Sequence, residues 1–180
     1  MSKTNDIHAR HALALGALSG AVGTAGMDLL WYARHRREGG KDSLWKWEFG
    51  DGIKNWDEAS APGQVGRKVE RVLLQRRPPD SWARPTTNLV HWATGAGWGL
   101  QFGLIVSKAS RRRWMLGLSL GPAAWLSSYV VLPLAKVYKP IWDYDRRTLE
   151  KDFSAHMLYG VATGVAFSAL TRAVASGHMK

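Results

Sequence analysis

The sequence predicts an all-α fold, a four-transmembrane-helix bundle with a surface amphipathic helix in its first long connector, and three observations carry that prediction. Four apolar blocks, at 12–32, 88–107, 114–135 and 153–171, come close to or exceed the about 20 residues that cross a bilayer, and the one formal charge inside them is Asp28. Each block holds glycines four residues apart, so each helix would carry a stripe of bare backbone. Bases and tryptophans gather just beyond the block ends, where headgroups would lie.

Composition alone is less telling than its distribution. A mean hydropathy of -0.23 suits a soluble protein, but it averages apolar blocks with intensely charged connectors. The 180 residues suffice for one domain. A net charge of +11 and a pI near 10.3 suit either nucleic acid or anionic lipid as partner. The placement of the bases favours anionic lipid headgroups over nucleic acid: Arg34, Arg36 and Arg37 follow the first block, and Lys108, Arg111, Arg112 and Arg113 separate the second from the third. Trp31, Trp82, Trp92, Trp114 and Trp142 fall near block ends, whereas Trp98 and Trp125 sit mid-block as packing residues. The absence of cysteine excludes disulfides, thiolate metal sites and a cysteine nucleophile.

The first block, ALALGALSGAVGTAGMDLLWY, follows Lys3 and Arg10 as a signal peptide would, but its length, the lack of a small-residue cleavage site and the Arg cluster after it mark a retained span. Its Gly16 and Gly20 form a GxxxG pair of the kind that lets two helices approach closely in lipid. The connector at 33–87 carries Trp45, Trp47, Phe49, Ile53 and Trp56, too many aromatics for a disordered linker, with a turn at Asp51 and Gly52. Between residues 62 and 77 the period becomes helical. Val65, Val69, Val72 and Leu73 share one face, with Arg67, Lys68, Arg71 and Gln75 on much of the rest, which predicts a basic amphipathic helix lying on the membrane surface. Pro78 and Pro79 end it.

The second block, NLVHWATGAGWGLQFGLIVS, places His91, Gly95, Gly99 and Gly103 four residues apart on one stripe. The short acid-free KASRRR connector makes an antiparallel hairpin with the third block, where Gly117 and Gly121 repeat the pair and Pro122 predicts a kink with Ser119 nearby. The loop from Lys136 to Asp145 carries Tyr138, Trp142 and Tyr144, and Asp145 is placed to cap the last helix. In the fourth block, FSAHMLYGVATGVAFSALT, His156, Gly160 and Gly164 restate the second block's spacing, and Phe167 matches Phe102. The bundle therefore reads as a pseudo-repeat of hairpins, the first two spans against the last two.

Four crossings put the termini and KASRRR on one side of the membrane and both larger connectors on the other. The eight Lys and Arg of the terminal side and the seventeen of the connector side favour cytoplasmic connectors; the density of KASRRR and the length of the 33–87 loop weigh towards cytoplasmic termini. Asp28, His91 and His156 fall at one depth near the connector side. Ionisable residues inside a membrane span face a bundle interior or a cavity, so these three form the candidate polar or ligand site. Two imidazoles and a carboxylate suit a divalent metal at His91 and His156 or a proton-responsive site; the alternative is that each imidazole simply bonds a neighbouring helix. Neither a GxSxG elbow, an HExxH, a P-loop nor a dinucleotide fingerprint is present, so no catalytic residue and no organic cofactor is predicted.

The segments TNLVHWATGAGWG, VVLPLAKVYKPIWDYD and KDFSAHMLYGVATG resemble small bacterial integral membrane proteins of unknown function, of the YagU-like inner-membrane type. The resemblance covers the last three spans better than the aromatic connector. It implies an inner-membrane location and a helical bundle, and assigns no site residue. Two roles follow: a structural or accessory subunit packing through glycine-rich faces into a homo-oligomer or larger membrane complex, or a small transporter or channel component using the polar site.

Overall fold

The computed structural model describes residues 9–50, 52–107 and 113–177, with the side chains of Ala9 and Arg113 excepted. The predicted KASRRR connector, apart from the backbone of Arg113, and Asp51 of the predicted turn lie outside the described residues. The chain is all-helical, with no strand among the described residues. Its helices are α1 (Ala9–Arg37), α2 (Leu44–Glu48), α3 (Ala61–Leu74), α4 (Ala83–Val106), α5 (Arg113–Leu134) and α6 (Arg146–Ala175). Three helical segments, Arg10–Arg37, Trp114–Leu134 and Arg146–Ala175, are long and apolar enough to cross a membrane. At 24 residues α4 has the length, but His91, Thr94, Gln101 and its glycines dilute its apolar content.

Local chemistry sets the helix ends. Four basic residues, Arg34, His35, Arg36 and Arg37, occupy the last turn of α1 against the negative end of its dipole, and Gly39 turns the chain at φ 96°. Asp145 caps α6 as its sequence position predicts: its carboxylate accepts from the Thr148 amide at 2.9 Å and the Thr148 hydroxyl at 2.6 Å. These two bonds hold its carboxyl below the usual carboxylate range. In α5 the helix continues through Pro122, and the Ser119 hydroxyl bonds the Leu116 carbonyl rather than the Leu118 carbonyl that the proline leaves without its usual donor.

By its contacts the chain divides into two compact units. The first comprises residues 1–28, 95–127 and 145–180. Here α1 lies against α4 and α5 against α6 at the distance of bare backbone. A Cβ at Gly16, Gly20 or Gly99 would strike a backbone carbonyl of the facing helix, of Gly99, Gly95 and Gly16 respectively. The second pair repeats the arrangement, with Gly117 and Gly160 each set against the other's carbonyl, Gly121 against that of His156 and Gly164 against that of Trp114. Gly103 meets the carbonyl of Ala12, and Gly95 faces the Thr24 hydroxyl.

Between these pairs α6 closes the core. Tyr159 donates its hydroxyl to the Gly95 carbonyl at 2.7 Å, and Phe102 meets Phe167 edge to face at 5.8 Å, a geometry that adds about 0.5–1.5 kcal/mol beyond burial. Leu15, Val106 and Leu120 complete the apolar centre. The interior is otherwise small and polar: Ser19, Thr24, Thr163 and Ser168 are buried, each hydroxyl bonded to the carbonyl four residues back in its own helix. Large apolar side chains point outward instead, with Leu18 57% exposed, Ile105 77%, Leu126 55% in this unit and Val165 50%.

The second unit comprises residues 29–94 and 128–144. Its core is Trp56, fully buried with Ala59 and Ala83, whose indole donates to the carbonyls of Pro78 and Pro79 at 3.2 and 3.1 Å. Gln64 bonds the Trp56 carbonyl and the Arg67 guanidinium lies over the indole at 5.8 Å. At the other end of this unit's chain, Tyr129, Tyr138 and Tyr144 pack with centroids 5.4–6.0 Å apart.

Within this unit α3 runs from a Ser60 cap to Leu74 and not to residue 77, because Gln75 takes the left-handed conformation at φ 53°. Its inward face is not the valine face. Gly63 and Gly66 are its buried residues and lie against Thr86, Thr87 and Val90 of α4, while Glu70 accepts from Thr86 at 2.5 Å. Val69, Val72 and Leu73 remain exposed, Val72 at 68% and Leu73 at 75%.

Candidate functional site

Within the second unit, ligand atoms of Glu48 and His91 lie within 4.8 Å of one another. Asp28 is buried at 6% exposure, on the turn of α1 where the chain passes into the second unit; Glu48 and His91 are half-buried.

Glu48 and His91 are each held by contacts close to them in sequence. One turn after Asp28, Tyr32 rests its ring against Trp47 at 5.6 Å, which ties the end of α1 to α2. The short α2 begins at Ser43, whose hydroxyl accepts from the Lys46 amide at 3.4 Å, and ends at Glu48. The next carbonyl, of Phe49, accepts from the Asn88 side chain at 3.0 Å, and Asn88 lies one turn before His91 on α4. The His91 ring is set edge-on to Trp92 at 6.1 Å. Aromatic packing and one amide bond therefore bring a carboxylate and an imidazole together from segments about 40 residues apart within the second unit.

Of the residues expected to group together, Asp28 and His156 belong to the first unit and His91 to the second. His156, in α6, has its Nδ1 3.0 Å from the carbonyl and 3.4 Å from the carboxylate of Asp152, four residues back on the same helix. That is the geometry of a local helix pair. Of the other polar residues near these positions, Asn88 serves as a strut and Tyr129 belongs to the tyrosine cluster.

Glu48 escapes a reading of the sequence because it sits in a charged connector, where an acid has no contrast with its surroundings. The available signal is its setting in LWKWEF, an acid flanked by three aromatics. The basic residues of α3 divide: Arg67 lies over Trp56 and 3.6 Å from Asp57, whereas Lys68 and Arg71 have their place between the packed and the apolar faces.

No family model matches this chain, and neither the curated proteins nor the solved structures give a match to it.

Proposed function

We propose that the chain is a four-span integral protein of the bacterial inner membrane, with α1, α4, α5 and α6 crossing the bilayer, acting as a non-enzymatic structural or accessory component. The observation that carries this reading is the inverted distribution of side chains in the first unit. Glycine, serine and threonine are inside, and Leu18, Ile105, Leu126 and Val165 are outside. Water would penalise that arrangement, whereas lipid, as apolar as leucine, rewards close backbone contact and leaves large side chains facing the acyl chains.

The second unit supports α4 as the fourth crossing. It gathers the connector at 33–87 and the loop at 136–144, which must then share one side of the membrane. With α1, α5 and α6 alone as spans, those two segments would fall on opposite sides. The exposed Val69, Val72 and Leu73 of α3, flanked by Lys68 and Arg71, suit a helix resting at the level of anionic headgroups. The nine stripe glycines are engaged within the chain, so a homo-oligomer or a larger complex would form through the outer apolar surface.

Because the protein contains no cysteine, single cysteines report sidedness cleanly. In oriented vesicles an impermeant maleimide will label Glu58→Cys and Asp143→Cys from one side and Ser176→Cys from the other. Labelling of Glu58→Cys and Asp143→Cys from opposite sides contradicts four spans.

A second reading, a small transporter or channel component, is favoured by Asp28 buried in α1 and by the carboxylate of Glu48 beside His91 in the second unit. Cation flux in proteoliposomes that is lost in Asp28→Asn supports it, and flux equal to that of empty liposomes removes it.

A further inference from the structure

We infer that α3 is a selective binding surface for anionic phospholipid, with Lys68, Arg71 and Arg76 engaging headgroup phosphates while Val69, Val72 and Leu73 enter the acyl boundary beneath them. The inference rests on the membrane reading above and deepens it: the helix responds to the charge of the lipid and does not merely lie at its surface.

The sorting of charges around α3, all within the second unit, points to this partner. Arg67 is taken up by that unit's core, over the Trp56 indole at 5.8 Å and 3.6 Å from Asp57. Just beyond the helix, Arg77 lies 3.8 Å from Asp80. The one acid of α3, Glu70, is turned to the packed face, where it accepts from the Thr86 hydroxyl at 2.5 Å. It is thereby withdrawn from the bases of its own helix. Lys68, Arg71 and Arg76 are left exposed, and none of them has an ion pair among the described residues.

These cations border an apolar ridge. Lys68 and Arg71 stand one turn apart on the flank of the ridge away from Gly66 and Glu70, and Val72 and Leu73 on the ridge are 68% and 75% exposed. Nucleic acid would engage the bases but leave the ridge in water. An anionic bilayer supplies both complements at once, phosphate at the headgroup level and hydrocarbon immediately below, and the long stems of Lys68 and Arg71 let their charges reach the first while the valines enter the second.

Because the chain has no cysteine, Val72→Cys carries a single apolar, environment-sensitive fluorophore in the full chain. The labelled protein is reconstituted in vesicles of phosphatidylcholine, alone or mixed with phosphatidylglycerol, each doped with lipid spin-labelled on the acyl chain as quencher. Quenching will rise with the phosphatidylglycerol fraction. Lys68→Gln, Arg71→Gln and Arg76→Gln will each weaken insertion about fivefold, the worth of one base near an anionic surface, and the triple variant roughly a hundredfold. Arg146→Gln, whose cation is engaged by Glu150 at 2.7 Å, will leave insertion unchanged. Unchanged thermal unfolding of the variants in detergent shows that lipid contact, and not the fold, has been lost. Equal quenching in the two lipids overturns the inference, as does a response unaltered in the triple variant. A label shielded from both the lipid quencher and aqueous iodide gives the face to a protein partner, and one reached by iodide alone in both lipids leaves it in water; either result overturns the inference as well. Composition-dependent quenching in a chain that alkaline carbonate extracts keeps this surface and removes the four-span reading, whereas a carbonate-resistant chain whose label ignores lipid composition does the reverse.

Discussion

At the scale of single residues, the stability of the first unit turns on the absence of side chains. A methyl group at Gly160 would strike the Gly117 carbonyl and the Gly121 amide, atoms that neither helix can move without breaking its own hydrogen bonds. Gly97, two residues from Gly95 and Gly99 on the same helix, has nothing within 4 Å of the place a Cβ would occupy. The two glycines therefore respond oppositely to alanine. Gly160→Ala will destabilise the bundle by roughly 1–3 kcal/mol through overpacking, whereas Gly97→Ala will be neutral or stabilising by up to about 1 kcal/mol from helix propensity. Thermal unfolding of both variants in the same detergent checks this, and equal melting shifts contradict it. The glycine stripes are legible in the sequence because a four-residue period is local information. What faces each stripe is not, since the choice of partner for α1 depends on how residues 33–87 fold. His156 shares its stripe with Gly160 and Gly164 as His91 shares one with Gly95, yet it bonds Asp152. A local acid four residues back is an immediate partner, and nothing at the residue scale separates the two histidines except that acid.

At the scale of elements, α6 is anchored from its first turn. The Asp145 carboxylate accepts two bonds from Thr148, and both favour its charged form. A carboxyl with a lowered folded-state pKa contributes stability that is present above its unfolded value of 3.8 and is lost as pH falls through the lower folded value. The amide protons of the first turn of α6 will therefore exchange no faster at pH 5 than at pH 6 once intrinsic rates are allowed for, and several-fold faster below pH 3. Asp145→Ala will show the fast exchange at all of these pH values. Protection unchanged by either the acid or the substitution contradicts the cap. This element was readable because a cap is a short-range device. With α3 the helix and its apolar face were readable but the packed face was not: Gly63 and Gly66 pack, while Val69, Val72 and Leu73 face outward. Bare backbone packs against Thr86 and Thr87 more closely than a valine face would. Glu48 belongs to the same lesson. Its significance arises only when Tyr32, Trp47 and Asn88 draw α1, α2 and α4 together.

At the scale of the whole molecule, one question governs the rest, namely which solvent surrounds the first unit. Its contents are those of a membrane bundle, with backbone-to-backbone contacts, hydroxyls satisfied within their own helices and an outer surface bearing leucine, isoleucine and valine. The measurement that tests this most directly is an alkaline carbonate wash of membranes from expressing cells, followed by extraction of the pellet with mild detergent. The protein will remain in the washed pellet and leave it only with detergent, as a single species. Recovery in the carbonate supernatant, or a chain that is monodisperse in buffer without detergent, would contradict lipid as its solvent.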